Sequence, residues 1–137
     1  MIAALPAAAT FVAGRSLAGV RLGEPAAQVR AQLGGDYGVC RGCATTTWYF
    51  TYRRFDDQGL GVELTSGRVS AVYTLWQPPG WHTATLRLGD PQAKIGTALT
   101  VQCSGYETLV RGTSVFYVLN GNVWGFGLIP KGRSPCR

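Results

Sequence analysis

Side chains for acid–base or metal chemistry are scarce in this sequence. It contains one histidine, His82, and seven acidic residues against 13 Lys and Arg. A lone histidine in a loop is usually a surface residue, and the acidic residues stand where turns or helix starts explain them. Zinc would need a second close cysteine pair or a histidine partner for the Cys40–Cys43 pair. The sequence therefore predicts no catalytic residue, no metal site and no cofactor.

Long hydrophobic runs are also absent. No stretch approaches the roughly 20 apolar residues that a membrane-spanning helix needs, so we expect no transmembrane segment. The low share of charged residues, 15% against 46% hydrophobic, argues against disorder. Nineteen glycines, six tyrosines and four tryptophans favour antiparallel strands joined by tight turns. These features predict a folded domain with more strand than helix.

The basic residues are not clustered, although the net charge is +6. A nucleic-acid site needs Lys and Arg gathered in a stripe or patch, since their combined charge supplies the affinity for phosphate. Here Arg53 and Arg54 are the only adjacent basic residues. The sequence predicts no nucleic-acid partner.

The N-terminal residues 1–13 are apolar and end in small residues, as the last part of a secretory signal does. They lack the basic segment with which such a signal begins. We interpret them as a signal-peptide remnant, with a plain apolar arm as the alternative. Residues 14–137 are then predicted to form a single compact domain of an exported protein, located outside the cell or in the cell envelope.

Four cysteines, Cys40, Cys43, Cys103 and Cys136, allow three disulfide pairings. Their positions favour Cys40–Cys43 within one loop and Cys103–Cys136 across the second half of the chain. The Cys40-x-x-Cys43 spacing is also typical of thiol-redox enzymes, in which a helix follows the first cysteine. A β-type sequence follows here, so we expect a structural link and keep a redox role as an alternative.

A short motif occurs twice and suggests an internal repeat. Residues 20–25 and 86–91 share an apolar-Arg-Leu-Gly-acid-Pro pattern, in which the glycine permits a tight turn and the proline suits a first helical turn. Each motif predicts a short helix, over 25–33 and 91–99, with Val29 and Leu33, or Ile95 and Leu99, facing the core.

Strand-type segments follow each predicted helix. Those of the first half are residues 46–54, 60–65 and 68–76, and those of the second are 106–110, 114–119 and 122–129. Turn sequences separate them, and the Asn120-Gly121 pair is the strongest hairpin signal. The fold class is therefore predicted as α+β. It consists of two related units, about 16–76 and 82–136, each a short helix packed on one face of a three- to four-stranded antiparallel sheet. Residues 77–80 connect them.

Strand alternation divides the side chains of this sheet between two faces. Leu60, Val62 and Leu64 mark the core side, together with Trp48 and Phe50. The opposite face is rich in aromatic and polar side chains, and Val72 is predicted to lie there. In the last strand Trp124 is predicted on the same side as Phe126 and Leu128. Interfaces concentrate binding energy in Trp, Tyr and Arg. We therefore predict that a partner is bound by Tyr49, Arg53, Trp76 and Trp81.

Paired helix-then-sheet units, each opened by a Gly-acid motif and each holding a cysteine pair, resemble the β-lactamase-inhibitor-protein-like architecture. Small lipoproteins of outer-membrane assembly are similar at the level of one unit. The resemblance implies a curved sheet whose concave aromatic face binds a partner protein.

The function predicted from the sequence is an exported protein-binding or inhibitor-like module, whose partner is another secreted or cell-surface protein. Two alternatives remain open. The protein could be structural or surface-associated without catalytic activity, or it could be a thiol-redox protein using Cys40 and Cys43. A homodimer that buries the aromatic face is a further possibility.

Overall fold

The computed structural model describes Leu5, residues 9–53 and residues 57–137. Strands dominate this part of the chain. In chain order the elements are β1 (Phe11–Val12), β2 (Ser16–Leu17), α1 (Ala26–Leu33), β3 (Gly38–Val39), β4 (Thr46–Thr51), β5 (Gly59–Thr65), β6 (Arg68–Leu75), a 3₁₀ turn (Gln92–Ile95), β7 (Leu99–Gln102), β8 (Glu107–Arg111), β9 (Ser114–Leu119) and β10 (Asn122–Leu128).

Eight of the strands form one antiparallel sheet in the order β3-β4-β5-β6-β10-β9-β8-β7, and β1 and β2 form a separate hairpin. Within the described sheet, every neighbouring pair is consecutive along the chain except β6 and β10. These two strands meet through the pairs Tyr73–Gly127 and Val72–Leu128. The sheet thus consists of two four-stranded meanders joined along one seam.

The predicted fold class, two α+β units with a helix packed on each sheet, is wrong. The described residues contain a single α-helix, one continuous eight-stranded sheet and the two-stranded β1–β2 hairpin. The second predicted helix stops after the 3₁₀ turn because Gly96, at φ +82°, ends it. Leu99, which was predicted to face the core, begins β7 and is 68% exposed. The β-type sequence after Gly96 pairs with β8 and outweighs the helical pattern.

The two Gly-acid-Pro motifs attach their loops to hairpins. In the first motif, Gly23 donates its N–H to the carbonyl of Val69, and the carbonyl of Glu24 accepts the N–H of Val69, at 2.8 Å each. The second motif makes the same pair of bonds, between Gly89, Asp90 and Val123. The first motif is therefore fixed near the start of β6, in the β5–β6 hairpin. The second is fixed near the start of β10, in the β9–β10 hairpin.

The main core lies on one side of the sheet, which we call the first face. Helix α1 contributes Val29 and Leu33 to it, and the β1–β2 hairpin contributes Phe11. The residues that the eight-stranded sheet contributes to this core are Trp48, Phe50, Leu60, Val62, Leu64, Val69, Val72, Leu109, Phe116, Val118, Val123, Phe126 and Leu128. Because Phe11 is 1% exposed, the predicted boundary at residue 13 cuts through the folded body.

Two β-bulges overturn part of the predicted division into faces. The pairing of β6 with β5 skips Ser70, and the pairing of β10 with β9 skips Trp124. One extra residue reverses the alternation of every side chain beyond it. Val72 therefore belongs to the first-face core, and Trp124 lies on the side opposite to Phe126.

Some predictions fall partly outside the described residues. The N-terminal segment includes residues 1–4 and 6–8, and the strand predicted over 46–54 ends at Thr51, with residues 54–56 not described. No helix in the described ranges is long and apolar enough to cross a membrane.

Candidate functional site

The side of the sheet opposite the main core, which we call the second face, has its own apolar cluster. Its buried members are Ala71, Tyr73, Val115, Tyr117 and Ile129, and Leu75, Tyr106, Val110 and Trp124 pack against them, partly buried. The segment 130–137, which we call the strap, crosses this face. The cluster is therefore only partly covered, and aromatic side chains reach the surface.

An open cavity of about 360 Å³, which we call the aromatic groove, lies on the second face. Its lining residues are Thr74, Leu75, Trp76, Gly105, Tyr106, Tyr117, Leu119, Trp124 and Arg137. The rings of Trp76 and Trp124 meet edge to face, with centroids 5.2 Å apart and planes at 78°. The two tryptophans belong to different meanders, so the groove spans the seam of the sheet.

Trp76 has a backbone conformation that disfavours a bulky residue. Its φ is +55°, in the left-handed region, which costs an L-residue roughly 1–2 kcal/mol. The other described non-glycine residues with positive φ, Ala18, Ser66 and Asn120, each precede a glycine in a two-residue turn. Trp76 is in no such turn, and its side chain is 57% exposed. The structure thus holds a large apolar side chain at the surface in a strained conformation.

The tyrosine hydroxyls beside the groove are already hydrogen-bonded within the protein. Tyr106 donates its hydroxyl to the main-chain oxygen of Arg137 at 2.5 Å and accepts the N–H of Arg137 at 2.7 Å. Tyr117 donates to the carbonyl of Pro135 at 3.2 Å. Burial raises the pKa of Tyr117, which keeps this phenol protonated. The walls of the groove therefore offer mainly apolar surface, much of it aromatic, to a ligand.

The guanidinium of Arg137 is also fully engaged. Its Nε lies 2.6 Å from Oε2 of Glu63, a carboxylate whose residue is 7% exposed. Its Nη1 donates to the carbonyls of Ser134 and Cys136, at 2.6 Å each, and the group lies over the ring of Tyr73. Burial, followed by the negative charge of Glu63, raises the pKa of Tyr73. This network fixes the strap on the second face.

A second open cavity, of about 390 Å³, lies on the other side of Arg137, and we call it the polar cavity. Its lining residues are Cys43, Ala44, Thr45, Thr47, Tyr49, Glu63, Tyr73, Arg133, Ser134 and Arg137. Arg137 lines both cavities and so forms the wall between them.

The residues predicted to bind a partner do not all meet. Trp76 lines the aromatic groove, and Tyr49, half-buried, lines the polar cavity. Arg53 is exposed just beyond the end of β4 and lines neither cavity. Trp81 is 0% exposed, so its assignment to the binding surface is wrong. The next residue, His82, pairs with the strand at Phe11, and this places Trp81 inside the first-face core.

Sequence reasoning missed Trp124, Tyr106 and Arg137. Strict alternation along the strand assigns Trp124 to the core side. The bulge at this residue instead turns its side chain to the second face. Tyr106 and Arg137 each lie near one cysteine of the predicted Cys103–Cys136 bond. The predicted Cys103–Cys136 bond was therefore the one signal in the sequence that could have placed Tyr106 and Arg137 close together.

The predicted disulfide pairing is confirmed: Cys40 is bonded to Cys43, and Cys103 to Cys136. The Cys103–Cys136 bond ties the strap to the segment after β7. The Cys40–Cys43 bond closes the short loop between β3 and β4, and β4 rather than a helix follows it. Within the described ranges, no three His, Cys, Asp or Glu residues are grouped as metal ligands would be.

Comparisons with known proteins give one distant structural similarity. No protein-family model matches the chain, and no curated protein matches it. A crystal structure of a cysteine-rich secretory protein from Staphylococcus aureus is similar with a TM-score of 0.48 and 13% sequence identity. The similarity covers 80% of this chain and 43% of that protein, so the chain spans less than half of its length.

Proposed function

We propose that this protein is an exported binding module that takes an apolar side chain of a partner protein into the aromatic groove. The observation that supports it is Trp76, an exposed and strained tryptophan beside Trp124. A strained backbone persists only where the surrounding structure imposes it, and such residues cluster at functional sites. Tryptophan is also enriched among the residues that dominate binding energy.

The size and chemistry of the groove support a side chain rather than a polar small molecule as the occupant. A volume of about 360 Å³ lies at the lower end of the range of ligand pockets. The internal hydrogen bonds of Tyr106 and Tyr117 leave few polar groups to orient a polar ligand. Two disulfides are typical of proteins exported to an oxidising compartment. We propose that the partner is in the same compartment.

The β5–β6 and β9–β10 hairpins support a further part of this proposal, which is that their two sequences share an origin. Both are fixed by the same pair of hydrogen bonds from a Gly-acid-Pro motif, and Ser70 and Trp124 occupy corresponding bulges. The inhibitor-like role and the resemblance to β-lactamase-inhibitor-like proteins stay predictions, as does the redox alternative.

The test is selection of binding peptides from a displayed random library, using the oxidised protein as bait. We expect enriched peptides to share a bulky apolar residue and to lose binding to Trp76→Ala. Leu99→Ala is the matched control, because Leu99 is another exposed large apolar residue, on the edge strand β7 and away from the groove. Peptides that bind wild type, Trp76→Ala and Leu99→Ala alike would refute the proposal.

A further inference from the structure

We propose that the polar cavity is a second subsite, which binds an acidic side chain of the same partner segment whose apolar side chain enters the aromatic groove. This inference rests on the proposed function and names the chemistry of the partner. Its basis is the arrangement of charges around Arg137, which separates the two cavities.

The one carboxylate that lines the polar cavity, Glu63, is neutralised by Arg137 at 2.6 Å. The second arginine of the lining, Arg133, is exposed, and in the described part of the chain no carboxylate forms an ion pair with it. The positive charge of Arg133 is therefore the unbalanced charge at this cavity. An acidic side chain is the ligand that such a charge attracts.

The other residues that line the polar cavity offer few free polar groups that would favour a different kind of side chain. Thr47 is buried, and its hydroxyl donates to the carbonyl of Thr45 at 2.9 Å. Tyr49, half-buried, adds a phenol to the same wall. A lysine or arginine of a partner would meet Arg133 without a free carboxylate in the lining, so a basic side chain is disfavoured.

The sheet sets the distance between the two subsites. The polar cavity lies over β4, β5 and β6, whereas the aromatic groove lies over β6, β10 and β9. Their centres are about two strands apart across the sheet, and about three residues apart along it, because the polar cavity is level with Ala71–Tyr73 of β6 and the aromatic groove with Thr74–Trp76. Together these offsets come to roughly 14 Å, which an extended chain crosses in about four residues. We expect the acidic residue about four positions from the apolar one.

The test uses synthetic extended peptides with blocked ends, built of Ser and Thr around one Phe. At the predicted spacing from the Phe they carry Glu, Gln or Lys, and a fourth peptide has Glu but Ala in place of Phe. Affinity is measured by titration calorimetry at low salt. We expect the Glu peptide to bind about three- to fivefold more tightly than the Gln peptide, and Lys more weakly than either. Added salt should reduce the difference, since it screens exposed charges.

Arg133→Ala should remove the preference for Glu while leaving the affinity of the Gln peptide unchanged. Arg15→Ala is the matched control, because it removes the same charge from the hairpin packed on the first face and should keep the preference. If the Gln and Glu peptides bind equally and both depend on Trp76, the acidic subsite is refuted while the proposed function stands. If binding of the Phe peptides does not depend on Trp76, both proposals fail.

Discussion

The two faces of the sheet differ in how completely they are covered. Helix α1, the β1–β2 hairpin and Trp81 close the first face, and its large side chains are almost fully buried. The second face is crossed by the strap, which leaves the aromatic groove and the polar cavity open. Trp81 and Trp76, on either side of the 77–80 connector, show the contrast at 0% and 57% exposure. The first face is thus closed, whereas the second face is stabilised mainly by the strap and keeps open surface beside it.

The largest expected effect is that of Trp81→Ala. Removing a fully buried aromatic side chain should lower the free energy of unfolding by about 3–5 kcal/mol. Trp76→Ala, at the open face, should cost far less. Equilibrium unfolding in urea, followed by circular dichroism, measures both. Equal losses for the two variants would contradict the proposed division between the faces.

The next effect compares the two disulfides. Replacing Cys103 and Cys136 together by alanine should lower the free energy of unfolding by about 3–4 kcal/mol, because that bond closes a long loop. The matched replacement of Cys40 and Cys43 should cost about 2 kcal/mol or less, since their loop is short. Urea unfolding without reductant measures the difference. A greater loss for the variant without Cys40 and Cys43 would contradict this dependence on loop length.

Glu63→Gln should have an intermediate effect. It leaves Arg137 without its carboxylate, but both side chains keep some contact with water, so we expect a loss of about 1–2 kcal/mol rather than the 3–5 kcal/mol of a fully buried pair. Asp36→Asn removes an equal charge from an exposed position and serves as the control. If the two variants are equally stable, the ion pair does not hold the strap.

The smallest effect is expected for Trp76→Gly. Glycine adopts positive φ readily, so the relief of about 1–2 kcal/mol should offset the lost contact with Trp124, worth about 0.5–1.5 kcal/mol. We therefore expect the free energy of unfolding of Trp76→Gly to lie within about 1 kcal/mol of the wild-type value. Trp76→Ala, which keeps the strain, should be less stable than Trp76→Gly. The opposite order in thermal or urea unfolding would exclude backbone strain at Trp76.

Features with local signals could be predicted from the sequence. The turn at Asn120-Gly121 has the paired positive φ values that its residue types favour. The disulfides follow from the positions of the cysteines in the chain. Most strands also lie where β-type residues were found, because their periodicity depends only on neighbouring residues.

Features that depend on distant residues could not be predicted. The bulges at Ser70 and Trp124 change the face of later side chains and have no marker in the sequence. The burial of Trp81 depends on the β1–β2 hairpin. The strap has no periodic pattern, and its position is set by Cys136 and by the pairing of Arg137 with Glu63. The aromatic groove was found only in part, through Trp76.

The seam between β6 and β10 has a consequence for the order of folding. Each meander pairs strands that are consecutive in sequence, so it can form early from local contacts. The seam needs the long connection between the meanders to close, which makes its pairing slower. Trp76 follows β6 and Trp124 belongs to β10, so the groove is assembled only when the seam has formed. A half-folded chain therefore lacks the aromatic groove, so the proposed recognition of a partner would be restricted to molecules that have completed folding.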